Sequence, residues 1–316
     1  MQAGAMVDRF KRSWAFTNEW VRAFLLALVL LIVLHSFVLR WVIVESTSMF
    51  ATLHPGDLVL VQRWPLWTGL SRGDVVVFRD PLKDDRAMMR RPLLVKRIVG
   101  MPGDLVELRR GRLMVNDKGE ADPNTGTIAY VVRLRDPRMA DSLLTMLGLP
   151  SYLMQSGRNT VELPLNEALA DRLSELPYVI NAEPLRLAHG APRHIFPFSP
   201  RYPWNGDDYG PIHVPAKGDT LHITVDNLPL YDRLIAVYEG HKIGAEKNAL
   251  LIDGRPLKEY VVEQDYYFVL GDSRHHSADS RYWGFVPADH ITGRAGFVLW
   301  GKGVSGSRSG RDMTPL

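Results

Sequence analysis

From Ala23 to Leu39 the chain reads AFLLALVLLIVLHSFVL, seventeen positions almost free of polar side chains. A helix needs about 20 such residues to cross a hydrocarbon core of about 30 Å, and Trp41, Val42, Ile43 and Val44 carry the apolar character further. The pattern predicts one transmembrane helix and a membrane-proximal segment over residues 23–44, with Trp20 and Trp41 as interfacial anchors. Arg9, Lys11, Arg12 and Arg22 precede the run against only Asp8 and Glu19. That bias keeps residues 1–22 in the cytoplasm and puts everything after the span on the outer face. The run ends in Arg40 and Trp41 with no A-x-A pattern, so it does not read as a cleaved leader.

Beyond the span the hydrophobic pattern changes to short runs closed by turn residues. Leu58 to Val61, Val75 to Phe78, Val95 to Val99, Leu105 to Leu108 and Leu113 to Val115 read as strands. Three of the turns, HPGD at 54–57, RGD at 72–74 and MPGD at 101–104, close with Gly-Asp immediately before an apolar run. Several runs are apolar on both alternating faces, which suits strands buried between two layers. The fold class expected is mainly β, an antiparallel core occupying residues 45–121 and resuming at 216–300.

Between them, residues 122–215 are rich in proline and include two helical stretches, Arg138 to Leu147 and Asn166 to Leu176. In the second, Asn166 is an N-cap, and Leu169, Leu173 and Leu176 recur at helical spacing before Pro177 stops it. This stretch reads as an α/β insertion. Strand patterns return at Leu221 to Val225, Ala249 to Ile252, Tyr260 to Val262, Tyr266 to Leu270 and Ala295 to Trp300, with Asp253-Gly254 as a hairpin turn. Residues 301–316 carry Gly, Ser and scattered charge without an apolar run, and read as a disordered tail.

Composition removes whole classes of chemistry. The chain has 316 residues and no cysteine, which excludes thiol nucleophiles, disulfides and cysteine-held metals. Ten histidines are scattered without ligand spacing, and His275 and His276 are neighbours, so neither a metal nor a cofactor is expected. A net charge of +3 with no basic aromatic stripe gives nucleic acid no footprint.

A serine hydroxyl is a poor nucleophile until a base takes its proton, and the chain must supply that base from His, from Lys or from another amine. Ser48 stands nine residues past the apolar run, in STSMFATLHPGD; His35 and His54 are near it in sequence. Lys96 lies inside an apolar strand, in LVKRIVGMPGD, between Leu94, Val95, Ile98 and Val99. Burial disfavours an ammonium ion and lowers its pKa, and a lysine neutral near pH 7 to 8 can serve a serine as general base. Lysines in strands more often point to solvent, and the residues alone leave both arrangements open.

Four strings occur in order: STSMFATLHPGDLVLV, RGDVVVFRDP, LVKRIVGMPGD and GDSRHHSADSRYWGFVP. Together with the preceding apolar run they resemble the boxes of bacterial type I signal peptidases, membrane-bound Ser-Lys endopeptidases that remove signal peptides from exported proteins. The resemblance implies that Ser48 is the nucleophile and Lys96 its general base. It implies an oxyanion hole formed by the Ser46 hydroxyl with the Ser48 backbone N–H, and a lysine-orienting role for Ser277. Arg97, Gly271, Asp272, Asp279 and Arg281 match a supporting set, while Tyr282 and Trp283 pack. Two positions depart from the family pattern. Ala51 stands where a proline is usual, and Ser273 where an asparagine is usual. The stretch Trp204 to Asp219 is similar to one seen in long members of the family.

The partners implied are signal peptides of exported preproteins, the phospholipid membrane and the protein-export translocon. The location implied is the bacterial plasma membrane, with the catalytic part on its outer, periplasmic face. The SOS-response repressors share a similar catalytic core, but the apolar span and the lack of a DNA-binding N-terminal domain argue against that reading. A catalytically dead membrane-anchored binding protein has no need of Ser46, Ser48, Lys96 and Ser277 together. A β-lactamase-type S-x-x-K fails directly, because Ala51 stands three residues after Ser48.

Overall fold

The structure is a computed structural model and describes residues 18–33, 38–147, 149, 157–188, 190, 194–246, 249–301 and 312–316. Four early strands build most of the sheet that carries the candidate chemistry: β1 (Leu39–Ile43), β2 (Leu58–Gln62), β3 (Val75–Arg79) and β4 (Leu93–Gly100). The strand order is β1, β2, Ile291–Trp300, β3, β4, Tyr266–Leu270 and the short Val286–Pro287, with every pairing antiparallel.

The two-faced apolar pattern of VVVF has a plain cause. Val75 and Val77 face a core with Val44, Met49, Leu53, Val59 and Val61, whereas Val76 and Phe78 face another with Ile98, Val269, Trp283 and Ile291. β3 is buried at all five positions, and its terminal Arg79 donates to the Arg91 carbonyl at 2.8 Å.

The expected insertion contains a sheet of its own, with Ile128–Leu134 between Thr160–Leu165 and Val179–Pro184. Helices Ala140–Leu147 and Glu167–Ser174 cover it, and their leucines join the strands in a separate core. Asn166 caps the second helix by accepting from the Leu169 N–H at 2.9 Å. The sequence reading of an α/β insertion located the two helices but gave no positions for these three strands. A further core gathers Val106, Leu108, Leu113, Tyr209, Leu221, Tyr266 and Phe268 where the second half of the chain returns. There Asp253 and Gly254, both at positive φ, close a two-residue hairpin between Ile252 and Arg255.

Two expectations change, one at residues 39–44 and one at the C-terminal end. The expected span is a separate matter: among the described residues no helix is long and apolar enough to cross a membrane. Helix Glu19–Val33 has 15 residues, about 22 Å at 1.5 Å each, and residues 34–37 of the expected span lie outside the described set. Trp41 to Val44 do not extend a helix. Residues 39–43 pair with β2, exposing Trp41 and Ile43, while Val44 just beyond is buried. An all-apolar WVIV conceals the alternation of a strand. At the other end, Thr314–Pro315 pairs with Ile291–Trp300, and Leu316 packs against the core that holds Met49. That end of the expected loose tail is therefore ordered, while residues 302–311 of it lie outside the described set.

Candidate active site

Ser48 sits in the turn that follows β1. Val44 N–H donates to the Asp57 carbonyl at 2.9 Å and Gly56 N–H to the Val44 carbonyl at 2.7 Å, so HPGD folds back and pins the entry to the turn. Leu53 N–H reaches the Met49 carbonyl at 2.8 Å, and Met49 and Leu53 are both fully buried. The serine is thus held on a closed, anchored loop, with its own side chain nearly covered.

Lys96 enters from the middle of β4. Its side chain points inward, 3% exposed, and its Nζ donates to Ser48 Oγ at 2.6 Å and to the Val95 carbonyl at 3.0 Å. Of the two arrangements open to the sequence, the structure has the buried one. Burial pushes the Lys96 pKa down to about 8, against the pull of Asp279, Asp272 and Asp80 towards the charged form. Ser46, exposed at the mouth, places its hydroxyl 3.1 Å from Ser48 Oγ. His54 packs edge-on against Phe50 at 4.8 Å, and His35 lies outside the described residues.

The loop after Tyr266–Leu270 supplies the surroundings. Gly271 has no room for a side chain: a Cβ there would stand 2.5 Å from the Ser48 carbonyl oxygen and 2.5 Å from the Ser277 Cβ. Asp272 forms a two-pronged pair with Arg97, at 2.9 and 2.6 Å, and accepts from the Thr52 hydroxyl. Arg97 also donates to the Gly73 carbonyl at 2.7 Å. Ser273 N–H donates to the Ser48 carbonyl at 3.0 Å, so the position of the second family departure acts here through its backbone.

Asp279 and Arg281 are almost wholly buried and joined by two hydrogen bonds, at 2.9 and 2.8 Å. Burial alone would raise the Asp279 pKa. The Arg281 guanidinium, the Gly271 N–H at 3.0 Å and the Ser277 hydroxyl outweigh it and hold the carboxyl below its ordinary range. The Ser277 hydroxyl stands beside Asp279 and donates to the Ala278 carbonyl at 3.3 Å; among the described residues, the Lys96 amine donates to Ser48 and Val95. Tyr282 is partly exposed, and Trp283 packs beneath the sheet as expected.

Three contributors escaped the sequence. Thr127 donates its N–H to the Asp272 carbonyl at 2.7 Å and its hydroxyl to the Phe50 carbonyl at 3.0 Å. His275 accepts from the Ala129 N–H at Nδ1, which leaves Nε2 to donate to Asp207 at 2.7 Å. Asp207 belongs to the Trp204–Asp219 stretch and His275 to the last box. Both strings were visible, but nothing local to either gives a contact across 68 residues.

The chain matches the family described as signal peptidase, peptidase S26, over residues 17–135 and 212–300; the interval between falls inside the inserted stretch. It is 33% identical to signal peptidase I P of Bacillus subtilis subsp. natto over 114 residues, 36% of this chain and 58% of that one. It is 34% identical to signal peptidase I of Bacillus licheniformis over 106 residues, 33% and 53% of the two chains. Signal peptidase I of Buchnera aphidicola subsp. Baizongia pistaciae is 24% identical over 290 residues, 86% of this chain and 73% of that one. The chain spans just over half the length of the Bacillus relatives it matches.

Proposed function

The chain belongs to the signal peptidase family, peptidase S26, and from that premise we propose that it is a membrane-bound serine endopeptidase that removes signal peptides from exported preproteins. The observation that carries the reading is the buried contact between Lys96 Nζ and Ser48 Oγ at 2.6 Å, with the amine poised near neutrality. A general base has to lie within hydrogen-bond reach of the proton it takes and have a pKa near the working pH; this pair meets both conditions.

With Lys96 neutral, the Ser48 hydroxyl donates to the amine lone pair. As Oγ bonds to the scissile carbonyl carbon, the hydroxyl proton passes to Nζ and negative charge develops on the carbonyl oxygen. The Ser48 N–H and Ser46 hydroxyl would receive that charge; a preorganised donor of this type contributes about 3 to 4 kcal/mol. The C–N bond then breaks, the Lys96 ammonium returns the proton to the leaving amine, and the mature protein departs. Water, deprotonated by Lys96, attacks the acyl-enzyme, and the signal peptide leaves with a new carboxyl group while Ser48 regains its proton. Arg97, Asp272, Gly271, Asp279 and Arg281 support this geometry without touching the substrate.

The substrate has an edge to lie on. β4 pairs with β3 from Leu93 to Arg97, yet Tyr266–Leu270 pairs with β4 only from Arg97 to Gly100. Among the described strands, the other side of Leu93, Leu94 and Val95 is unpaired, immediately beside Lys96. An extended peptide added there gains main-chain hydrogen bonds and presents alternate side chains to pockets, the family preference being small residues at the first and third positions before the cut. The apolar run from Ala23 anchors the chain in the bacterial plasma membrane, N-terminus in the cytoplasm, with the β domain on the outer face near lipid and translocon.

The test is cleavage of a purified preprotein in detergent by wild type, Ser48→Ala and Lys96→Ala, with the new N-terminus sequenced. Cleavage after a small residue, lost in both variants, is the expected result. An intact preprotein under conditions where a control peptidase cuts it would move the binding-protein reading to the front.

A further inference from the structure

Two consecutive residues after the nucleophile enter two different cores. Met49 is fully buried with Val44, Leu53, Val59 and Val75 under the main sheet. Phe50, 2% exposed, is buried with Val132, Leu134, Leu143 and Val161 of the inserted module. A side chain wedged into each core leaves the intervening backbone little freedom to shift unless the module shifts too, because close-packed interiors transmit strain.

Hydrogen bonds close the same connection into a ring. Ser273 N–H holds the Ser48 carbonyl at 3.0 Å; Thr127 N–H holds the neighbouring Asp272 carbonyl at 2.7 Å; the Thr127 hydroxyl holds the Phe50 carbonyl at 3.0 Å. Arg274 N–H reaches the Thr127 carbonyl at 2.8 Å, so Thr127 grips the supporting loop from both of its backbone groups. Ala51 N–H faces the Thr125 carbonyl at 3.4 Å, a contact that the proline usual in the family cannot make.

Resting on the Ser48-Lys96 reading above, we propose that the inserted module is a clamp that positions the nucleophile, with Phe50 as its anchor and Thr127 as its clasp. Neither residue touches the reacting atoms. They act by fixing Ser48 Oγ against Lys96 Nζ, where a displacement of about 1 Å can cost two orders of magnitude in rate.

The experiment is preprotein cleavage by the full chain in detergent, comparing wild type with Phe50→Ala, Phe50→Leu and Thr127→Val under steady-state and single-turnover conditions, beside thermal melts and pH profiles. A clamp predicts that kcat and the single-turnover acylation rate fall at least about tenfold in Phe50→Ala and Thr127→Val while KM stays within about twofold. Phe50→Leu should recover most of the loss, and the acid limb of the pH profile should stay in place because Lys96 is not moved. Wild-type kcat in Phe50→Ala or Thr127→Val, whatever the melt does, would overturn the clamp. Thr127→Val changes one atom and keeps the shape, so it decides the matter if Phe50→Ala does not fold. A wild type that fails to cleave would overturn the peptidase reading and the clamp with it, a failure distinct from that of the variants alone.

Discussion

Lys96 occupies a place where a cation is costly and a free amine is useful. Its pKa near 8 in the folded chain lies below the 10.5 of an exposed lysine, so the native state binds fewer protons than the unfolded one between those values. Stability therefore rises with pH across the window from about 8 to 10.5, and below it the full cost of the buried ammonium, about 3 kcal/mol, is present. Two outcomes follow. Cleavage should rise with pH along an acid limb with an apparent pKa near 8, measured as kcat/KM against pH. Lys96→Met should abolish cleavage while raising stability at pH 7 by up to about 3 kcal/mol, read by denaturant unfolding. The lysine's importance was legible because an apolar strand surrounds it, but its inward direction was not, since a strand sends neighbours to opposite faces and sequence alone does not say which is which. Ser277 shows the opposite limit: its place in the box was clear, yet the box does not say that its hydroxyl stands beside Asp279 and donates to the Ala278 carbonyl.

At the level of elements, the turn Ser280–Trp283 begins at Asp279, whose side chain accepts from the Arg281 N–H while pairing with the Arg281 guanidinium. One buried carboxylate thus starts a helical turn, neutralises a buried arginine and fixes Gly271. Asp279→Asn removes the charge and leaves the guanidinium unpaired, which should destabilise the fold by about 3 to 5 kcal/mol and lower the thermal midpoint, with activity lost in step. The strands on either side were legible as short apolar runs between Gly-Asp turns, and those read at Val75, Ala249 and Tyr266 lie where the structure has them. The strands of the inserted module were not. Tyr130, Val131 and Val132 form a clear apolar run, but Pro164 and Pro184 end or interrupt its partners, and prolines argue against strands unless the positions are at an edge. Residues 39–43 failed for a different reason: their apolar character is continuous with a helix and carries no visible period.

Among the described residues a three-stranded sheet interrupts the larger β sheet in sequence, Thr127 just before it bonds back to Asp272 and Phe50, and the candidate site draws loops from both parts of the sequence. With no native cysteine, the orientation of the chain can be read directly. Lys118→Cys, on an exposed strand of the β domain, should react with an impermeant maleimide added outside intact cells, and Lys11→Cys should react only after lysis. The unpaired edge of β4 bears on a different matter, how much such a site is able to know. Three residues, about 10 Å of strand, address only a few positions of any peptide. A demand for two small side chains is a short message that countless unrelated proteins would satisfy by chance. So brief a password protects nothing by itself, and a peptidase built on this ledge would be safe only because of where it stands: its selectivity would be geographic, granted to whatever the membrane delivers and denied to everything kept on the other side.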